Sequence, residues 1–223
     1  SSVNKGGGLK DTIQNIHAMK MDCVVMRHPV PGSCFHVSKF VNAVVINAGD
    51  GTHEHPTQAI LDMTSLYEKF GYLKGLKVGI IGDISHSRVA LSNIHGLIAM
   101  GADVTLCGPA TLIPPHIEEL GVKVSYKIDE VIEWADALNV LRIQMERMGV
   151  SLFPSIREYR SLFGITTERL ANHKKDIVIM HPGPMNRGVE IESAVADGDQ
   201  AIILDQVLNG VASRMAILYL LLG

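Results

Sequence analysis

Short β-branched runs alternate with helix-period segments along nearly the whole chain, and this alternation restricts the possible folds most. The runs Cys23–Met26, Ala43–Ile46, Lys77–Ile81, Asp103–Leu106, Ala137–Leu141 and Ile177–Met180 read as strands. They are apolar without an in–out alternation, which predicts strands covered on both faces. Between them, Leu9–Lys20, Ser33–Phe40, Gln58–Phe70, Ser87–Met100, Pro115–Leu120 and Asp129–Trp134 read as helices. Strand–helix–strand repetition predicts an α/β fold with parallel sheets, whose ligands bind at the carboxyl ends of the strands.

The turn residues Gly71 and Gly75 separate a first unit, 1–70, from a second, 71–205. The closing segment, 206–223, carries Val207, Leu208, Val211, Met215, Leu218, Tyr219 and Leu222 at helical spacing. It predicts a helix with a broad apolar face, expected to pack back on the first unit. The fold class is thus two doubly wound parallel-sheet units. The first, with two strands in about 70 residues, is too thin to stand alone.

Composition narrows the function. Of 223 residues, 47% are hydrophobic and 19% charged, enough to bury a core. A net charge of −3 and 5% aromatic residues argue against nucleic-acid binding by a basic face or by base stacking. No apolar run reaches the roughly 20 residues of a membrane span, and the first residues have no secretory h-region. Cys23, Cys34 and Cys107 are scattered, which argues against a disulfide framework or structural zinc and fits a reducing cytoplasm.

Cations and amides gather in the loops that follow strands. Arg27 ends the first. Asn47-Ala48-Gly49-Asp50-Gly51-Thr52-His53-Glu54-His55-Pro56-Thr57-Gln58 follows the second, with Pro56 suited to the first helical turn and Gln58 near the positive end of that helix. This is a pocket for an anion or a polarised carbonyl, or else an ordinary capped turn. His53 and His55 are two apart and lack the i, i+4 spacing of a helical zinc motif. After the third strand, Gly79 and Gly82 do not make the dinucleotide fingerprint. Arg88 opens a helix, where the dipole disfavours a cation. It is either solvated or held to grip an anion. Arg142 and Gln144 would point the same way from a strand end. His181-Pro182-Gly183-Pro184 makes a stiff turn able to present carbonyls. Together the loops describe a site for anionic small molecules.

Four stretches carry a resemblance over essentially the whole chain: Asn47-Ala48-Gly49-Asp50-Gly51 with His55-Pro56-Thr57-Gln58; Gly82-Asp83 with Ser87-Arg88; Leu141-Arg142-Ile143-Gln144 with Glu146-Arg147; and His181-Pro182-Gly183-Pro184 with Asn186-Arg187-Gly188. The sequence resembles the aspartate carbamoyltransferase catalytic chains. It differs from the ornithine enzymes, which typically have a His-Cys-Leu-Pro turn where this chain has His181-Pro182-Gly183-Pro184.

The resemblance implies transfer of a carbamoyl group from carbamoyl phosphate to L-aspartate in pyrimidine synthesis, without metal or organic cofactor. It implies that Arg27 and His55 polarise the carbamoyl oxygen and Gln58 holds the carbamoyl NH2. Arg88 and Arg142 would clamp the aspartate carboxylates, helped by Gln144, and carbonyls near Pro182 and Gly183 would orient the amine. Ser1 and Lys5 match a mobile loop that reaches a neighbouring subunit, implying a homotrimer with shared active sites. A regulatory or dihydroorotase chain is a further implied partner.

Two departures stand out. The family's Lys-Gly-Glu-Ser/Thr loop is here Lys5-Gly6-Gly7-Gly8, and its Ser-Thr-Arg-Thr phosphate turn has no counterpart. The expectation is an N-terminally shortened first unit. The alternatives are a non-catalytic amino-acid-binding or assembly subunit, or a carbamoyltransferase with another amine acceptor.

Overall fold

The computed structural model describes residues 13, 15, 18–143, 155–173 and 176–223. The first unit holds β1 (Cys23–His28), α1 (Ser33–Ser38), β2 (Val44–Asp50) and α2 (Pro56–Phe70). β1 and β2 pair in parallel, with the register slipping between Met26 and His28. The predicted helix Leu9–Lys20 falls mostly outside the described residues. Ile13, Asn15 and Ala18 are helical.

The second unit runs β3 (Lys77–Ile81), α3 (Arg88–Ala99), β4 (Asp103–Cys107), β5 (Lys123–Ser125), α4 (Ile128–Trp134), β6 (Ala137–Val140), α5 (Ile156–Phe163), α6 (Thr167–Ala171), β7 (Val178–Met180) and α7 (Ser193–Ala196). Its five strands are all parallel, in the order β5-β4-β3-β6-β7. Successive crossovers therefore run one way from β3 to β5 and the other way from β6 to β7.

The apolar strand runs have the predicted cause. Val78, Ile80, Val104 and Leu106 pack on one side with Leu66, Ile94 and Leu97. Ile81, Leu138, Val140 and Ile179 pack on the other with Val131, Ile132 and Tyr159. Period-two alternation sends neighbouring residues to two separate cores, so both kinds are apolar.

α8 (Ile203–Leu222) lies against α2, but with a different face from the one its sequence suggests. Gln206, Asn209 and Ser213 are buried, whereas Val207, Leu208, Val211, Met215 and Tyr219 are each more than half exposed. The rotation follows hydrogen bonding: Gln206 donates to Asp62 of α2, and Asn209 donates to Ser65 and Glu68. A buried carboxylate left without donors costs more than exposed leucines do.

Other differences are local. The predicted helix Pro115–Leu120 shrinks to a 3-10 turn, Ile117–Leu120, because two adjacent prolines supply no N–H. β5, α6 and α7 are too short to show a period; α5 is not among the predicted helices, although Ser155 and Glu158 make a capping box and Tyr159 and Phe163 a buried i, i+4 pair.

Candidate functional site

The strand order reverses between β3 and β6, so the loops leaving their carboxyl ends turn apart and open a crevice. Arg88 stands on the β3 side and Arg142 just beyond the end of β6. The β3 loop is fixed by Asp83, which is 1% exposed and accepts from the His86 backbone N–H, with the His86 ring Nδ1 2.9 Å away. Ser87 then caps α3, its Oγ accepting from Ala90 N at 3.2 Å. Arg88 follows as the first helical residue, as predicted.

Its side chain leaves its own helix and reaches the first unit. Arg88 Nη1 donates to the Gly51 carbonyl at 3.1 Å. Gly49 has φ +121, and a Cβ there would come within 2.9 Å of Arg88 Nε. The glycines of this loop thus permit the close approach of a guanidinium.

The loop itself is wound around Asp50. Its carboxylate accepts from Asn47 Nδ2 and from the backbone N–H groups of Gly32 and Glu54, with His53 Nδ1 at 3.2 Å. Burial pushes this carboxyl up, and those bonds more than offset it, so its pKa lies below the usual value. His53 is thereby held to Asp50. Among the described residues, no three His, Cys, Asp or Glu side chains are placed to hold a metal ion.

His55 donates its backbone N–H to Ser92 of α3 at 2.8 Å, which locks the loop to the second unit. Its ring lines a cavity of about 290 Å3 with Arg27, Thr57 and Arg214, closed by Val25, Ile46, Ala48, Ile217 and Leu218. Burial, then Arg88, Arg214 and Arg27, lower its pKa to about 4. The ring is therefore neutral at pH 7, with Thr57 Oγ1 3.4 Å from Nδ1. With that hydroxyl donating, the ring proton sits on Nε2, free for a ligand.

A pH dependence follows from this. The folded pKa lies below the ordinary 6.5, so His55 contributes stability above about 6.5 that is lost as pH falls toward 4. Urea midpoints measured across that range should decline with falling pH. A His55→Gln protein should show a shallower decline, and equal slopes would contradict the buried neutral ring.

Gln58, 8% exposed, sits one turn into α2 and donates Nε2 to Asp62. The Pro182–Gly183 turn follows β7. His181 is buried, and its Nδ1 accepts from Gly183 N at 2.9 Å. Asn186 Nδ2 donates to Ile143 O at 2.8 Å, tying this turn to the segment that bears Arg142.

The structure thus brings Arg27, His55, Gln58 and Arg88 into one region. Of the predicted residues only Arg27 and His55 line the 290 Å3 cavity; Gln58 and Arg88 stand beside it, and Arg142, Pro182 and Gly183 lie past the ends of β6 and β7. Ser1, Lys5 and Gln144 lie outside the described residues.

Two residues escaped the sequence reading. Arg214 lines the cavity from α8, and its signal was a single cation within an apolar segment. Asp62, wholly buried, was an acid on the buried stripe of α2, four residues after Gln58. A larger recess of about 760 Å3 lies among α4, α5 and α6, lined by Asp129, Arg160, Arg169, His173 and Glu192. These pair with one another: Arg169 and His173 with Asp129, and Arg160 with Glu192. The recess contains none of the predicted site residues, and we read it as a charged fastening between helices.

Residues 1–68 match the family description "Aspartate/ornithine carbamoyltransferase, carbamoyl-P binding domain". Residues 74–221 match its companion, "Asp/Orn binding domain". The chain is 61% identical over 221 residues to the aspartate carbamoyltransferase catalytic subunit of Christiangramia forsetii, covering 99% of this chain and 71% of that one. It is 56% identical to the Gemmatimonas aurantiaca protein of the same name, covering 100% of this chain and 70% of that one. Among solved structures, Trypanosoma cruzi aspartate transcarbamoylase with N-(phosphonacetyl)-L-aspartic acid superimposes with TM-score 0.86 at 30% identity, covering 98% of this chain and 71% of that one.

Proposed function

The chain belongs to the aspartate/ornithine carbamoyltransferase family, and from that premise we propose that it carbamoylates L-aspartate with carbamoyl phosphate. The amine attacks the carbamoyl carbon and a C–N bond forms. The carbonyl oxygen gathers negative charge in the tetrahedral intermediate. The C–O bond to phosphate then breaks and the amine's proton passes to the departing phosphate, leaving N-carbamoyl-L-aspartate and hydrogen phosphate.

The observation that carries this reading is the cavity in which His55 stands with Arg27 and Arg214, with burial and then Arg88 lowering the His55 pKa. A neutral imidazole N–H donates a hydrogen bond but, unlike an imidazolium, is too weak an acid to protonate the attacking amine, and Arg27 supplies the charge. Preorganised donors of this kind stabilise a developing oxyanion without reorganisation. Gln58 would hold the carbamoyl NH2. Arg88 and Arg142, from the two sides of the crevice, would take the two aspartate carboxylates, and carbonyls near Pro182 and Gly183 would aim the amine. On this reading 1–70 with the closing helix is the carbamoyl-phosphate unit and 71–205 the aspartate unit.

Family membership also supports a homotrimer that shares its sites between neighbours, with Ser1 and Lys5 serving the adjacent one. Sedimentation at three chain masses is the expected result. The three cysteines are unpaired, which supports a cytoplasmic setting. No described helix is long and apolar enough to cross a membrane.

A colorimetric carbamoyl-amino-acid assay tests the reaction. Product is expected with L-aspartate and only background with L-ornithine. A preference for ornithine would overturn the roles of Arg88 and Arg142, and no product with either acceptor from a chain supplied with the family's Ser-Thr-Arg-Thr turn would overturn the reading itself.

A further inference from the structure

A fully enclosed acid lies behind the site. Asp62 is 0% exposed, and its carboxylate receives four side-chain amides from four elements. Oδ1 accepts from Gln58 Nε2 at 2.9 Å and from Gln206 Nε2 at 2.7 Å. Oδ2 accepts from Asn93 Nδ2 at 2.8 Å and Asn139 Nδ2 at 3.3 Å. These come from α2, α8, α3 and β6. Gln206 carries the link onward, its Oε1 accepting the His181 backbone N–H at 2.9 Å.

Every partner is a donor, so the arrangement suits a carboxylate, and a protonated carboxyl would set its O–H against an N–H. Burial opposes ionisation and raises the Asp62 pKa above its usual value, and the four amides work against that rise. The strength of that demand shows in what it costs. The Oδ1 atoms of Asn93 and Asn139 are buried without a hydrogen-bond partner. Both amides have turned their NH2 groups to Asp62 and left their oxygens unsatisfied.

An amide side chain has two nearly isosteric orientations, and only its partners decide between them. A carboxylate at Gln58 Nε2 fixes the NH2 end inward, which leaves Oε1 as the end presented away from Asp62. We propose that Asp62 is a positioning residue that sets the orientation of the Gln58 amide as an acceptor for the carbamoyl NH2. Through Gln206, the same carboxylate holds the His181–Gly183 turn. Two substrate-facing groups on different units thus share one buried reference point. The proposal rests on the carbamoyl-transfer reading for its consequence, but not for the hydrogen bonds themselves.

The test uses the whole chain and two independent readouts. Asp62→Ala should lower kcat about 100-fold, the scale of a misplaced positioning group. Asp62→Asn should stay within about fivefold of wild type. Its Oδ1 still accepts from Gln58 and Gln206, while Asn93 and Asn139 can flip to put their oxygens on its NH2. Leu66→Ala, a core truncation on the same helix, reports what destabilisation alone does. If Asp62 acts chiefly through Gln58, Asp62→Ala should lower kcat by only about tenfold or less in a Gln58→Ala background, the remainder passing through Gln206 and the His181–Gly183 turn. The same 100-fold loss in that background, or an equal kcat loss in Leu66→Ala, would overturn the proposal.

The second readout needs no turnover. In 15N-labelled protein the Gln58 side-chain NH2 protons should exchange slowly with water, lose protection in Asp62→Ala and keep it in Asp62→Asn. Unchanged protection in Asp62→Ala would overturn the proposal. A chain supplied with the Ser-Thr-Arg-Thr turn that makes no carbamoyl aspartate would sink the functional reading instead, and the exchange measurement would still decide whether Asp62 holds Gln58.

Discussion

Arg88→Ala is expected to lower kcat/KM for L-aspartate about a thousandfold, the scale of a lost charge-assisted clamp in a preorganised site. Alanine is a good residue for the first turn of α3, and the Ser87 cap bond to Ala90 does not involve the arginine side chain. The fold should therefore survive, and far-ultraviolet circular dichroism should be unchanged. Arg88→Lys should recover little. An ammonium can meet one acceptor at this distance but cannot keep the bond to Gly51 O and offer a fork to a carboxylate as well. A second signature separates the charge from the shape. Burial and then Arg88 lower the His55 pKa, so removing the guanidinium should let that pKa rise from about 4 toward its ordinary 6.5. An NMR titration of His55 reads this directly. Near-normal turnover in Arg88→Ala would contradict the proposed clamp.

Gly108→Ala is expected to be the most damaging single-methyl change, costing about 3 kcal/mol of stability. The loops after β3 and β4 touch here. A Cβ on Gly108 would fall on the Gly82 carbonyl oxygen, deep inside van der Waals contact. Both groups are backbone, so no rotamer relieves the overlap. Gly82 cannot easily yield. Its φ is +128, and its N–H is bonded to Cys107 O at 2.8 Å. Gly71→Ala makes the comparison, since a Cβ there meets nothing within 4 Å and only the positive φ of +79 is strained. It should cost about 1 kcal/mol. Urea unfolding of the two variants checks both figures, and equal losses would show that the close approach does not matter. Any folded Gly108→Ala protein should also lose turnover, because the β3 loop that leads into Arg88 must move.

The two cases show why part of this molecule could be read from sequence. Strands buried on both faces leave a continuous apolar run, so β3, β4 and β6 announce themselves, as does the helix between Pro56 and Gly71. Arg88 and His55 were legible as chemistry because each breaks a local rule, a cation at a helix start and a histidine entering one. What they touch was not legible. The Arg88–Gly51 bond crosses 37 positions, and no local pattern encodes it. α8 failed in the opposite way. Its hydrophobic period was clear, yet its rotation is decided by Asp62, Ser65 and Glu68, which lie 141–144 positions earlier. The acid at Asp62 and the cation at Arg214 were visible as letters that did not fit their apolar surroundings. Only the packing of three helices and a strand around one carboxylate gives the first of them a purpose.

Those distant bonds also set an order of events during synthesis. Gln206 is among the final eighteen residues of this sequence, yet it donates one of the four hydrogen bonds on which Asp62 depends. A nascent chain stalled before Ile203 would already contain Arg27, His55, Gln58, Arg88 and Arg142, but the carboxylate behind Gln58 would lack a partner and the His181 N–H its acceptor. Asp62 and Gln206 must meet across 144 positions, a high-contact-order closure of the kind that slows folding. Arg27, His55, Gln58, Arg88 and Arg142 would thus leave the ribosome well before the helix that supplies Gln206 to Asp62 and Arg214 to the cavity.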